Sequence, residues 1–191
     1  MKKIFTKTLI LLTLFFASCS TSSMITLMDN DAETEWNDGK LWAFKSNDNY
    51  MVAMTINTSK DDYGTYQLDL IVENLTDTSI VFDPSLIVVK IGSGPKIQQL
   101  ATYEYPARKN ANMAKYLENE NIYLLTKISN KGNQIKQIGY LKKNTIYSKQ
   151  GIIGYLNLEQ KRFENNAVMS IEIPIDNDVF NFNWYISPIK N

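Results

Sequence analysis

Apolar and polar residues alternate along most of the chain beyond residue 40, and this alternation predicts β-strands. Val52, Met54 and Ile56 lie on one face of the first predicted strand. The apolar residues at 66, 68, 70 and 72 follow the same period of two, which is that of a half-buried strand. Turn-forming residues at 74–77 then precede a returning strand that begins at Ile80.

The polar phase of the second strand contains two carboxylates, Asp69 and Glu73. We expect both to face solvent, because the polar phase of a strand with one buried face is wet. A carboxylate-based hydrolase would need two such groups about 5 to 9 Å apart. The chain has too many acids for their presence alone to identify such a pair.

The alternation returns in the C-terminal part of the chain. Residues 151–158 form one strand candidate, and Met169, Ile171 and Ile173 alternate with polar residues up to Pro174. The clearest strand follows the Asp176-Asn177-Asp178 turn. Its apolar positions, which we expect to enter the core, are Phe180, Phe182, Trp184 and Ile186. Short alternating strands separated by turns favour an antiparallel β-sandwich.

Residues 104–143 interrupt this strand pattern. Pro106 suits the first turn of a helix, and Ala107, Ala111, Ala114 and Leu117 follow it at helical spacing. Asn133 would cap a third, weaker helix that runs to Leu141, although residues 120–142 are also compatible with a strand. We therefore predict a mainly β protein in which a mostly helical insertion interrupts the sandwich.

The predicted insertion contains eight basic and three acidic residues. Lysines on a wet helix face explain such an excess without any partner. The alternative is a basic surface for an anionic protein, lipid or polysaccharide. The residues that would form this surface are Lys131, Lys136, Lys142 and Lys143.

The N-terminus has the order of a secretory signal: three lysines, a short apolar run ending at Phe16, and small residues before Cys19. Cys19 is the only cysteine of the chain. This segment resembles a bacterial lipoprotein signal, in which the cysteine is acylated and becomes the first mature residue. The resemblance implies a signal peptide over residues 1–18. An ordinary cleavage after Ser20 is the alternative, while the apolar run is about half the ~20 residues of a membrane span.

Residues 19–39 are polar and acidic, with Asp29, Asp31, Glu33 and Glu35 close together. We expect a flexible tether between the lipidated cysteine and a domain over residues 40–191, because this segment offers little to bury. The acids begin ten residues after Cys19. We therefore expect an outer-membrane lipoprotein that faces the periplasm rather than a surface-exported one.

Composition excludes several classes of function. The chain of 191 residues has 20 basic and 20 acidic residues and no histidine. Loss of residues 1–18 removes three lysines and no acid, which leaves 17 basic against 20 acidic residues and argues against nucleic-acid binding. The lack of histidine excludes histidine-based nucleophile systems and imidazole zinc sites. We predict no cofactor.

Two segments, Val72-Glu73-Asn74-Leu75-Thr76-Asp77 and Gly151-Ile152-Ile153-Gly154-Tyr155-Leu156, carry a second resemblance. The pattern around them resembles uncharacterised single-domain bacterial lipoproteins with an immunoglobulin-like sandwich. The resemblance extends over most of residues 40–190 and implies the fold. It supplies no active site.

Two groups of residues are candidates for binding a ligand. Asp176-Asn177-Asp178 offers oxygen atoms to a hard cation, but it lacks the glycine and distal glutamate of a calcium loop and suits a hairpin turn. We therefore predict no metal site. Tyr63, Tyr103 and Tyr105 lie in predicted loops, where an aromatic face can stack on a sugar ring.

The sequence as a whole predicts a lipid-anchored extracytoplasmic module that binds a partner or acts in envelope interactions, without catalytic activity. A carbohydrate-binding accessory lipoprotein is the alternative, and a carboxylate-based hydrolase is the third possibility. The expected partners are the membrane, through lipid on Cys19, and an anionic protein, lipid or polysaccharide.

Overall fold

The structure, a computed structural model, describes residues 25–29, 31–37, 39–58, 65–100, 134–159 and 166–187. These residues form thirteen strands and one short 3-10 helix, Pro84–Leu86. The strands are β1 (Ile25–Leu27), β2 (Glu33–Asn37), β3 (Lys40–Ser46), β4 (Tyr50–Thr58), β5 (Thr65–Asn74), β6 (Ile80–Phe82), β7 (Val88–Ile91), β8 (Gln99–Leu100), β9 (Gln134–Tyr140), β10 (Asn144–Ile146), β11 (Gln150–Glu159), β12 (Ala167–Ile175) and β13 (Asp178–Ile186).

The strands form two main sheets and a two-stranded sheet of β6 and β10. The smaller main sheet has the order β1-β13-β12-β7. The larger one has the order β2-β3-β4-β5-β11-β8, and β9 also pairs with β11. Apolar side chains of both main sheets meet in one core, so the protein is a mainly β sandwich, as the sequence predicted.

Alternation places the predicted apolar face of the C-terminal strand in the core. Trp184 is 1% exposed and Phe182 is fully buried, and both pack with side chains from the larger sheet. Asn181, which stands between Phe180 and Phe182 in the strand, is exposed. The prediction that Phe180, Phe182 and Trp184 point inward is therefore confirmed.

The larger sheet is also buried on its other face, called the far face below, which is directed away from the smaller sheet. Ala53, Ile71 and Ile153 are neighbours across β4, β5 and β11 on this face, and all three are fully buried. The expectation that Asp69 and Glu73 face solvent is therefore wrong. They are 0% and 1% exposed, because β5 has no wet face.

The predicted helical insertion is not helical where the structure describes it. Residues 134–140 form β9, which runs parallel to β11. Ile135 packs with the far-face cluster, whereas Ile138 packs against the main core. Two partly buried apolar residues three apart thus lie on opposite faces of a strand, and their spacing imitates that of a helix. Residues 101–133, which hold the rest of the predicted insertion, lie outside the described residues.

The predicted flexible tether is folded over its described residues. β1 pairs with β13 at the edge of the smaller sheet, and β2 pairs with β3 at the edge of the larger sheet. Between them, Asp29 accepts hydrogen bonds from the backbone N–H and the side-chain amide of Asn183, each at 2.9 Å. Lys45 lies 3.2 Å from Asp29 and 2.8 Å from Asp31. These contacts attach the acidic segment to both sheets.

The two sheets are also joined by their turns. Asp176 and Asn177 form the two-residue turn between β12 and β13, and Asp176 has a positive φ of 53°. Asp178 accepts a hydrogen bond of 2.9 Å from the side-chain amide of Asn47, in the turn between β3 and β4. Burial, together with Asp176 and Asp178, raises the pKa of Tyr50. The acidic triplet therefore serves as a hairpin turn.

We predict that Trp184→Ala destabilises the protein by about 3 to 5 kcal/mol, because it opens a cavity in the shared core. Trp36, which is 70% exposed, provides the matched control. Trp36→Ala should change the free energy of unfolding by less than about 0.5 kcal/mol. Denaturant unfolding of both variants measures the difference, and equal losses would place Trp184 outside the core.

Candidate functional site

A cleft of about 380 Å³ lies where β10 turns into β11. Polar side chains dominate its lining, and none of the lining residues is acidic. The lining residues are Lys136, Asn144, Thr145, Ile146, Tyr147, Gln150, Gly151 and Ile152. All of them come from β9, β10, the turn at 147–149 and the first residues of β11. The cleft is thus built by one continuous stretch of chain that folds back on itself.

The buried amide of Asn74 fixes the wall of this cleft. Asn74 is fully buried at the end of β5, and its side-chain N–H groups donate to the carbonyl oxygens of Ile146 and Tyr147, each at 3.2 Å. They also donate to the carbonyl of Thr78 at 2.7 Å. The amide oxygen accepts from the backbone N–H of Thr76 at 3.0 Å. One side chain therefore connects the turn after β5 to the turn before β11.

Tyr147 lines the cleft, and this exposed residue stands on a constrained backbone. Its side chain is 60% exposed. Its carbonyl accepts from the backbone N–H of Gln150 at 3.1 Å, which closes a tight turn with Lys149 at a positive φ of 55°. Lys149 pairs with Asp77 at 3.1 Å and also donates to the carbonyl of Leu75. The ring is therefore exposed while the backbone that carries it is held in place.

The described lysines of the predicted basic surface lie in different surroundings. Lys136 lines the cleft. Lys142 and Lys143 are exposed in the connection between β9 and β10, and Lys143 lies 3.4 Å from Asp83. Hydrogen bonds from Ser85, with a smaller contribution from Lys143, lower the pKa of Asp83. The other predicted site residues lie outside the described part of the chain: Cys19, Tyr63, Tyr103, Tyr105 and Lys131.

The far face of the larger sheet contains a buried ion pair that the sequence did not reveal. The side-chain ammonium of Lys40 lies 3.1 Å from Oδ2 of Asp69, and Gln67 donates to Oδ1 at 2.6 Å. Thr55 and Tyr155 flank Asp69 on the neighbouring strands. Burial and the nearby Asp69 raise the pKa of Tyr155. The hydrogen bonds and the paired charge satisfy a carboxylate that burial would otherwise disfavour.

The two buried carboxylates of β5 are attached at well-separated positions of the strand. Asp69 and Glu73 lie on the same face of one strand, four residues apart. Their backbones are therefore separated by about 13 Å. A carboxylate pair that acts on a glycosidic bond is about 5 to 9.5 Å apart. Asp69 is moreover engaged with Lys40 and Gln67, so we interpret this cluster as a structural element.

A second cleft of about 360 Å³ lies beside the 3-10 helix and is lined by Ser85, Lys96, Ile97, Gln98 and Gln99. The amide of Gln99 donates to the carbonyl of Pro84 at 2.8 Å, and Lys96 reaches the carbonyl of Ser85 at 3.4 Å. Ile97 is 1% exposed. These lining groups hold the 3-10 helix against β8, so the cleft at Tyr147 is the better candidate for a ligand site.

No cluster of three metal-ligating side chains occurs within the described ranges. The acidic triplet after β12, which the sequence marked as a cation candidate, forms a hairpin turn. Its Asp178 accepts a hydrogen bond from the side-chain amide of Asn47. The sequence missed Asn144, Thr145, Tyr147 and Gln150 as cleft residues. Their signal was the density of turn-forming polar residues around an aromatic one at 144–150, next to a predicted strand.

We predict that Lys40→Met destabilises the protein by about 3 to 5 kcal/mol, because it removes the ammonium that pairs with the buried Asp69 carboxylate. The double variant Lys40→Met with Asp69→Asn should recover most of this loss, since it removes the charge together with its partner. Denaturant unfolding at neutral pH gives the three free energies. A single-variant loss below about 1 kcal/mol would contradict the assignment of a buried ion pair.

Comparison of the chain with protein-family models, with curated proteins and with solved structures found no match. Among the described residues, no helix has the length and apolar character needed to cross a membrane. A function for this protein is therefore proposed from the N-terminal sequence pattern, the cleft and the contacts that shape the cleft.

Proposed function

We propose that the protein is a lipid-anchored extracytoplasmic binding module without catalytic activity. The observation that carries this proposal is the cleft at Tyr147. Its wall is fixed by the buried amide of Asn74. A binding site whose backbone is held before the ligand arrives loses less conformational entropy on binding than a mobile one. The lipid anchor follows from the signal that ends at Cys19, and we place the protein at the outer membrane, facing the periplasm.

The chemistry of the cleft suits a ligand with both hydroxyl groups and an apolar face. Asn144 and Gln150 each carry amide donors and an acceptor, and Thr145 adds a hydroxyl. The ring of Tyr147 offers a flat apolar surface beside them. A sugar combines these two features in one molecule. Carbohydrate binding is therefore our second candidate function, now attached to Tyr147 rather than to the tyrosines in the predicted loops.

The lysine at this cleft indicates which kind of anionic partner the cleft suits. Lys136 is the cleft's cation, whereas Lys142 and Lys143 lie outside the lining. A single lysine fits one acidic group on a ligand better than an extended anionic surface. Acidic sugars are therefore included among the candidate ligands. The immunoglobulin-like identity of the sandwich stays a prediction.

We predict that Cys19→Ala abolishes lipid attachment, because the thiol is the acylated group. Metabolic labelling with a palmitate analogue and fractionation of cell membranes would measure this. The variant should lose the label and either leave the membrane fraction or remain unprocessed. A variant that matures normally and stays membrane-bound would overturn the lipoprotein assignment.

We predict that Tyr147→Ala weakens saccharide binding by about tenfold, or about 1.4 kcal/mol, because it removes the stacking surface. Isothermal titration with short neutral and uronic-acid oligosaccharides measures the affinity of the unlipidated protein. Trp36→Ala, at an exposed aromatic residue that does not line the cleft, is the matched control.

Lys136→Gln separates the two classes of sugar in the same titration. It should weaken only the binding of uronic-acid oligosaccharides. If neither class binds the unaltered protein, the carbohydrate candidate is wrong. If Tyr147→Ala and Trp36→Ala weaken binding equally, the ligand does not occupy this cleft.

A further inference from the structure

The sandwich has two opposite poles, and different parts of the sequence lie at each. The cleft pole contains the turns at 47–49, 74–79, 147–150 and 176–178. Two hydrogen bonds place the first of these turns beside the second and the fourth: the N–H of Leu75 donates to the carbonyl of Asn49 at 2.8 Å, and the Asn47 amide donates to Asp178. The Asn74 amide places the third turn there as well.

The other pole, called the N-terminal pole here, is where β1 begins. Ile25 pairs with Ile186, the last residue of β13, and Ile186 also pairs with Ala167, the first residue of β12. Gly92, just after β7, donates its N–H to the carbonyl of Val168 at 2.8 Å. The loop that follows β7 therefore lies at the same pole as the start of β1. Along β5 and β13, the two poles are separated by about 26 to 30 Å.

β1 and the residues just after it are firmly attached to the rest of the domain. Ile25 and Leu27 pack against the core, and the N–H of Met28 donates to the carbonyl of Asn183 at 2.9 Å. Asp29 then holds the backbone and side chain of Asn183. The pairing of Lys45 with Asp29 and Asp31 ties the same segment to β3, and the Lys45 ammonium lies 5.3 Å from the centre of the Phe182 ring. The start of β1 is therefore a fixed point of the domain.

Only five residues, 20–24, separate Cys19 from this fixed point. Even fully extended, a chain of this length reaches only about 20 Å. A lipid on Cys19 would therefore hold the start of β1 close to the bilayer surface. A sandwich some 26 to 30 Å tall has little room to turn over on such a short connection.

We propose that the N-terminal pole faces the anchoring membrane and that the cleft pole faces away from it. This inference rests on the proposed lipidation of Cys19, but it adds a statement about which partners can reach the cleft. The partner of the cleft comes from the space beyond the domain, as a soluble or wall-attached molecule would. The lipid headgroups of the anchoring bilayer face the opposite pole.

Single introduced cysteines test the orientation, because the natural Cys19 thiol is consumed by the lipid. Ser93→Cys and Ser79→Cys are matched substitutions of exposed serines in turns, one at the N-terminal pole and one at the cleft pole. Each lipidated variant is purified from membranes, labelled with a fluorescent donor and placed in phospholipid vesicles that carry acceptor-labelled headgroups. Energy transfer to the acceptors should be higher from residue 93 than from residue 79.

A control with fifteen Gly/Ser residues inserted after Ser22 lengthens the connection. In this control the difference between the two positions should shrink or vanish, because the domain can then turn freely. Equal transfer from both positions without the insertion, or higher transfer from residue 79, would overturn the proposed orientation. If the purified protein carries no lipid and does not associate with vesicles, the lipid anchor itself is wrong, which is a distinguishable outcome.

Discussion

Burial of β5 on both of its faces is the constraint on which much of this fold depends. One face packs into the core shared by the two sheets, and the other belongs to the buried far face. Every polar side chain on that strand must therefore find a partner inside the protein, since water does not reach it. Asp69 is paired with Lys40, and Asn74 at the strand's end is bonded to three carbonyls. The polar contacts of β5 connect the hairpin of β2 and β3 at one pole to the cleft at the other.

The same constraint links stability to the candidate function. Asn74 satisfies its own hydrogen-bonding groups through the backbone of the turn that carries Tyr147. The shape of the cleft therefore depends on a buried side chain that is not part of its lining. In the proposed binding site, Asn74 would therefore be a positioning residue for the turn. The far-face ion pair contributes differently, because it links β3 to β5 across the intervening β4 and lines neither cleft.

The sequence allowed the long strands to be predicted where one face is apolar and the other polar, as in β13. It misled at β9, where Ile135 and Ile138 are partly buried on opposite faces of the strand and imitate helical spacing. The N-terminal strands were missed for another reason. Three-residue β1 has almost no pattern of its own and is fixed by Asp29, whose partner Asn183 is 154 residues away. The cleft was missed because its residues are ordinary turn residues until Asn74 brings them to the end of the sheet.

The lining of the cleft lies entirely within the seventeen consecutive residues 136–152. Its boundary with the rest of the protein is the pairing of β11 with β5 and of β10 with β6. Substitution of the exposed lining residues Lys136, Thr145 and Tyr147 can therefore alter the chemistry of the cleft while the buried residues of the same stretch hold the strands in place. The proposed binding site could thus diversify through a few exposed residues of one short segment, much as variable loops do on a conserved scaffold.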